Sequence, residues 1–351
     1  MSPHLALALA FEAAGALLPR VEPAPSQLVE RCAFVMGAPC EGAVLAPSRG
    51  AGLKALEAAF GAIAGLDRLL SDYDPQSELS QLNRWPSGEP RTCSTELLSL
   101  LAHAGALQLE TAGAFDPGIG ALVQVWDLRG AGRVPAPPAL ARARSASGFS
   151  LLALDLGVRT ATRLHPELQL DPGAFGKGAA LDRAAAALRA QGAQSALIDF
   201  GGQVVALGSG PSGQEWRVAI ADPGDRSRPI ARLGLRDVSV ATSGQSERGA
   251  RAGDRILGHI VDPRSGAPVP AYGSVTVLAV SAFEADALAT ALYVMGPDQG
   301  LEWAARHPEL QVLYLLQESG RLRARGSAGF RAYLRGVDPA VRLELPLSER
   351  L

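Results

Sequence analysis

The chain has 351 residues, 47% of them hydrophobic and 19% charged, the proportions of a soluble globular protein and not of a disordered or collagen-like polymer. Its length fits one large domain or two ordinary ones. A formal net charge of -2 gives no sign of a nucleic-acid polyanion as the main partner, and three cysteines without a C-x-x-C pair argue against a zinc site.

Residues 5–18 are apolar over the length of a secretory h-region, yet no Lys or Arg precedes them, Glu12 interrupts them and no small-x-small cleavage site follows. They read as an unusual leader or a plain helix, and in the second case the protein is expected in the cytoplasm. No other stretch reaches the roughly 18 uninterrupted apolar residues of an integral membrane span. Residues 1–30 are therefore a helix and a Pro-rich linker (PRVEPAPSQLV, 19–29), and the body runs over 31–351.

Leu53, Leu56, Phe60, Ile63, Leu66 and Leu70 recur at threes and fours, which predicts an amphipathic helix ending at the turn cluster SDYDPQSE. A second helix is predicted over 96–110, capped by Ser94 or Thr95 and stopping before Gly113. Residues 130–148, the richest in Pro, Gly and Arg, are expected to be an exposed insertion. LHPELQLD, SALIDFGGQVVALG and EWRVAIADP read as strands, with a helix over 178–191 between the first two. SVTVLAV is a β-branched strand, SAFEADALATALYVMG and GLEWAARHP are helices, and LQVLYLLQ is a final buried strand. Strands and helices alternate without a βαβ rhythm, which predicts an α+β fold.

Five segments carry chemistry. Asp286 and Thr290 stand one helical turn apart on the same face, two hard oxygen donors of the kind magnesium takes alongside waters and substrate phosphates; a helix-capping acid is the other reading. GHIVDPRSGAPV places His259 and Asp262 around a turn fixed by Pro263 and Gly266, where a histidine can accept a proton and the aspartate can orient it or bind the metal; a surface turn is the alternative. DPGAFGKG opens a helix with backbone N–H groups and Lys177, an arrangement suited to an anion, without the pattern of a Walker loop. IDFGGQV and GAFDPGIG are further Gly-rich turns, the latter with Asp116 as its only charge.

In chain order, LLSDYDPQSELSQLN, GAFDPGIGALVQVW, DPGAFGKGAALD, ALIDFGGQVVALG, ATSGQSER, HIVDPRSGAPV and SVTVLAVSAFEADALATAL resemble the FAD:protein FMN transferases, the ApbE family, from about Met36 to the end. The resemblance implies an ApbE-like (T-fold-like) mixed sheet core with packed helices. It implies magnesium-dependent transfer of FMN from FAD to a threonine of an acceptor flavoprotein, with release of AMP. An FAD pyrophosphatase and a non-catalytic FAD-binding protein are the alternatives.

By the same resemblance, Asp286, Thr290 and the carbonyl of Ala174 hold the metal. Met36, Tyr73, Ala114, Phe115, Asp116, Asp171, Lys177 and the backbone at Val261 contact FAD. Cleaving a pyrophosphate calls mainly for positioning and charge neutralisation, so a base for the incoming hydroxyl is the remaining requirement, and His259 fits it. Three departures stand out: Ala289 where some members have an aspartate, Gln245 and Ser246 where many place a tyrosine after TSG, and no N-terminal lipoprotein cysteine.

Overall fold

The computed structural model describes residues 26–245, 249–252, 255–318 and 320–346. The apolar stretch at 5–18 and the departure at Ser246 lie outside the described residues.

Nine strands form one sheet, in the order Gln27–Val35, Ala38–Ala46, Ala196–Phe200, Gln203–Leu207, Val238–Gly244, Gly273–Ala279, Gln311–Glu318, Arg321–Gly326 and Arg342–Glu344. All neighbours are antiparallel except the last pair, which is parallel. Both faces of the sheet are covered, and alternation along each strand divides the side chains between them. Val205 and Leu207 enter the core beneath the helices, whereas Val204 and Ala206 enter a second core beneath a three-stranded sheet of Trp216–Asp222, Asp225–Leu235 and Leu334–Val337. Val312, Tyr314 and Leu316 against Leu313 and Leu315 repeat the division. The expected α+β class and mixed sheet with packed helices are what the chain forms.

Seven α-helices are described: α1 (Arg49–Leu70), α2 (Glu78–Arg84), α3 (Thr95–Glu110), α4 (Gly120–Val125), α5 (Pro137–Ser145), α6 (Gly176–Ala190) and α7 (Ala282–Ala305). On the helix-covered face α1 packs on α6 and α6 on α7. Ser94 caps α3, accepting from Leu97 N at 3.1 Å. The two helices read at 281–296 and 300–308 are both present within the span of α7, separated by a kink at Gly296, where φ is +77° and Pro297 follows, a backbone that cannot continue the helical ladder. Among the described residues no helix is long and apolar enough to cross a membrane.

Several expectations shift. The first strand opens at Gln27, inside the stretch read as linker. LHPELQLD is not a strand: pairing ends at Arg163, whose buried guanidinium gathers the Leu168 carbonyl (3.1 and 2.9 Å) and the Trp85 carbonyl (2.6 Å). Those bonds satisfy an irregular backbone that a ladder would otherwise satisfy. The strand at 311–318 is not the last, since two more complete the sheet edge. Residues 130–148 carry α5, whose Ala143 is buried, with Ala146 buried just beyond it, so only the outer side of this insertion meets solvent.

Candidate functional site

The site lies where one end of the nine-stranded sheet meets the N-terminal turns of α6 and α7. These two helices cap each other. Asp182 of α6 accepts from Ser281 Oγ (2.8 Å), Ala282 N (2.8 Å) and Phe283 N (3.0 Å), satisfying the first donors of α7. Asp286 of α7 in return accepts from Gly178 N at 2.9 Å, in the first turn of α6. The exchange requires close approach: a Cβ on Gly178 would stand 2.2 Å from the Ala282 carbonyl oxygen and 2.8 Å from Asp286 Cβ. The capping reading of Asp286 therefore holds, and the helix it caps is the neighbouring one.

Asp286 is 3% exposed, and its second oxygen accepts from the amide of Gln203, the first residue of its strand. Thr290 lies one turn further along α7, with its hydroxyl 3.5 Å from Ser243 Oγ and 3.4 Å from the Asp286 carbonyl. Ala289 is fully buried, so its position supplies no carboxylate to this corner. Ala174 sits in the turn that leads into α6, and Lys177 is half-buried in the first turn of that helix. Burial raises the Asp199 carboxyl, and the Gly202 N–H and, more weakly, the charge of Lys177 oppose the rise. Met36 (φ +47°) and Gly37 (φ +71°) make the hairpin turn at this sheet end, next to the Gly201–Gly202 turn, where Gly201 N donates to the Pro39 carbonyl at 3.0 Å.

The donor set suits a hard cation. Among the described residues no group of three or more His, Cys, Asp and Glu is placed to hold a metal, so the oxygens here are one carboxylate, a hydroxyl and carbonyls. Gln203 Oε1 is buried beside them and, among the described residues, has no hydrogen-bond partner. An ion with a partly retained water shell matches that inventory.

Two loops from the sequence reading meet next. Asp171 N donates to the Pro117 carbonyl (2.7 Å), which ties DPGAFGKG to GAFDPGIG, and Phe115 packs edge-on to Phe175 with centroids 6.4 Å apart. Ala114 and Phe115 are each 1% exposed, so their side chains belong to the core. Asp116 accepts from Gly118 N (2.7 Å) and Phe149 N (3.1 Å); burial pushes its carboxyl up, and these donors pull it back.

Tyr73 and Asp171 line a cavity of about 370 Å³ together with Asp72, Asn83, Arg84 and Arg129. Arg129 lies 5.3 Å over the exposed Tyr73 ring, bonds Asp171 at 2.7 Å and pairs with Asp72. Burial raises the Asp171 carboxyl, Arg129 opposes the rise, and the two aspartates keep the guanidinium charged.

His259 follows the strand Arg255–Gly258 and is half-buried. The segment after it hangs on one side chain: Gln245 accepts from Ile260 N (3.2 Å) and donates to the carbonyls of Ile260 (3.2 Å) and Val269 (2.9 Å). Val261 is buried with Leu122 and Trp126, and Trp126 Nε1 donates to the Gly266 carbonyl at 2.7 Å, which pins the turn to α4. Asp262 spends its carboxylate on Arg264, accepting from its backbone N and Nε at 2.9 Å each and from Nη2 at 3.2 Å.

The sequence model of the ApbE family matches residues 36–314. The chain belongs to the ApbE family. It is 33% identical over 308 residues to the FAD:protein FMN transferase of Treponema pallidum, covering 83% of this chain and 84% of that relative. It is 32% identical over 281 residues to the enzyme of the same name from Vibrio cholerae, covering 77% and 83%. Among solved structures, the flavin transferase ApbE from Vibrio cholerae superposes with a TM-score of 0.76 at 29% identity, over 88% of this chain and 100% of that one. The ApbE protein from Thermotoga maritima gives 0.80 at 27% identity, over 88% and 100%.

For this ApbE member the sequence reading passed over Gln203, Asp182 and Arg129, and took Gln245 only as a departure. Each acts across a distance in the chain that no local spacing reveals: 83 residues separate Gln203 from Asp286, and 42 separate Arg129 from Asp171. Gln203 and Asp182 do fall inside quoted motifs, which was the available signal.

Proposed function

We propose that this chain is a magnesium-dependent FAD:protein FMN transferase that moves FMN from FAD to a threonine hydroxyl of an acceptor flavoprotein and releases AMP. The observation that carries this reading is the Asp286 corner, an oriented buried carboxylate at the N-terminus of α6 with Thr290 and Lys177 beside it. Membership of the ApbE family and relatives named for this activity support it.

In this reading Asp286, Thr290 and the Ala174 carbonyl hold the ion. Magnesium there supplies charge neutralisation for a pyrophosphate. The dipole of α6 and Lys177 add positive potential for the same anion. The cavity of Tyr73, Asp171 and Arg129 takes part of the dinucleotide, and the backbone at Met36, Ala114, Phe115, Asp116 and Val261 borders the rest. His259 receives the proton of the threonine hydroxyl as its oxygen bonds to the phosphorus of the FMN half. The bond between that phosphorus and the bridging oxygen breaks, and AMP leaves with the oxygen. Asp262, engaged with Arg264, holds the shape of the turn that presents His259.

The test is incubation with FAD, magnesium and a purified candidate acceptor, read by intact-protein mass spectrometry and nucleotide chromatography. The expected result is one FMN added to the acceptor and one AMP released. Release of AMP and free FMN with no acceptor modified would replace the reading by hydrolysis; FAD retained without turnover would replace it by a carrier.

A further inference from the structure

We propose that Gln203 is a positioning residue for the metal corner: its amide nitrogen fixes the Asp286 carboxylate, and its buried Oε1 takes a hydrogen bond from a water of the bound magnesium. This rests on the metal-dependent reading above.

Gln203 is 4% exposed and stands at the head of its strand, directly after the Gly201–Gly202 turn. Gly202 N donates to Asp199 Oδ1 at 2.8 Å, so the strand start is fixed from the opposite side of that turn. Its Nε2 donates to Asp286 Oδ1, while Gly178 N donates to Oδ2 at 2.9 Å. The two carboxylate oxygens thereby accept from a strand and from a helix that approach them from different parts of the fold.

The other end of the same amide is unsatisfied. Gln203 Oε1 is buried and, among the described residues, has no hydrogen-bond partner. The amide cannot exchange its ends, because turning the oxygen toward Asp286 would set an acceptor against a carboxylate. An unmade bond of this kind costs about 1–3 kcal/mol, and buried acceptors are normally met by protein or water. What is missing is a donor. Magnesium keeps several of its waters when bound through one or two carboxylates, and each such water carries two O–H groups. A water on the ion at Asp286 and Thr290 gives Oε1 its donor, and one amide then orients both the ligand and the shell. Outer partners of metal ligands usually contribute 10–100-fold to metal affinity.

The test compares the wild type with Gln203→Met, which keeps the length but neither donates nor accepts. Two readouts are taken: the rise in melting temperature when magnesium alone is titrated into FAD-free protein, and the magnesium concentration at half-maximal flavin transfer. Gln203→Met is expected to need 10–100-fold more magnesium in both, with the maximal rate at saturating magnesium within about threefold of the wild type. Superimposed magnesium titrations overturn the proposal, as does a lost maximal rate with unchanged magnesium requirement, which would place Gln203 on the flavin or the fold instead.

Should Gln203→Met not fold, Gln203→Glu serves in its place. It retains the acceptor and sets a second carboxylate beside Asp286, so it is expected to melt lower than the wild type without magnesium and to gain more from it. An equal or smaller gain overturns the proposal. A wild-type protein whose melting and turnover both ignore magnesium defeats the metal reading itself, an outcome separate from failure at Gln203 alone.

Discussion

The corner at Asp286 and the turn at His259 are built to different standards. Asp286 is held from two directions by a helix N–H and a strand side chain, inside a reciprocal exchange of caps with Asp182. The segment after His259 is suspended from the single amide of Gln245 and from Trp126 Nε1, and His259 itself is half-buried. Under the proposed function, a metal ligand gains from being fixed before the ion arrives, whereas a base that must meet a hydroxyl on another protein has to lie where that protein can reach it, and the contrast follows those two proposed tasks.

The largest expected effect breaks the first region. Asp286→Ala should abolish magnesium-dependent transfer and, by stranding the Gly178 and Gln203 donors, cost on the order of 2–4 kcal/mol of stability in urea denaturation; retained turnover would remove the metal assignment. His259→Ala should lower turnover by about 10²–10⁴-fold while leaving the melting temperature nearly unchanged. A matching loss of stability would mean that the turn is structural.

Gly178→Ala sharpens the comparison, since its methyl would press on the Ala282 carbonyl and displace Asp286. We expect about 1–3 kcal/mol of destabilisation and a fall in turnover of order 10²-fold, measured by melting and by single-turnover transfer. Normal activity would show that the exact approach of α6 to α7 is dispensable.

Arg129→Leu probes the cavity. It leaves Asp171 buried without its cation, which raises that carboxyl further above its unfolded value. The sign follows from linkage: a raised folded pKa favours the fold at low pH and is lost as pH rises through it. The variant should therefore trail the wild type by about 1–3 kcal/mol at pH 7, less than a fully buried pair because Arg129 is 38% exposed, and close the gap toward pH 5. A constant gap across that range would disprove the pairing. The smallest effect is assigned to Gln245→Ala, about 1–2 kcal/mol with a raised KM for acceptor and faster amide exchange at Ile260; unaltered exchange would show that the turn stands without its clamp.

Much of the site could be read in one dimension. The amphipathic period of α1, the cap at Ser94, the Gly-Pro break at Gly296 and the i, i+4 placement of Asp286 and Thr290 are all local, and local backbone chemistry fixes them. The motifs in order also pointed to the ApbE family, and the α+β class followed from the way strands and helices alternate. What local pattern could not reach was any pairing between distant segments. LHPELQLD alternates as a strand would, yet the Arg163 guanidinium took its Pro166 and Leu168 carbonyls instead.

Only the tertiary structure decided that Asp286 caps α6, that Gln203 shares that carboxylate, that Phe115 faces Phe175 in the core and that Gln245 carries the turn after His259. The reason is physical. A helix declares its own face through a period of 3.6 residues, but a buried polar group declares only that it needs a partner, and which one it receives is settled when the sheet and helices close around it.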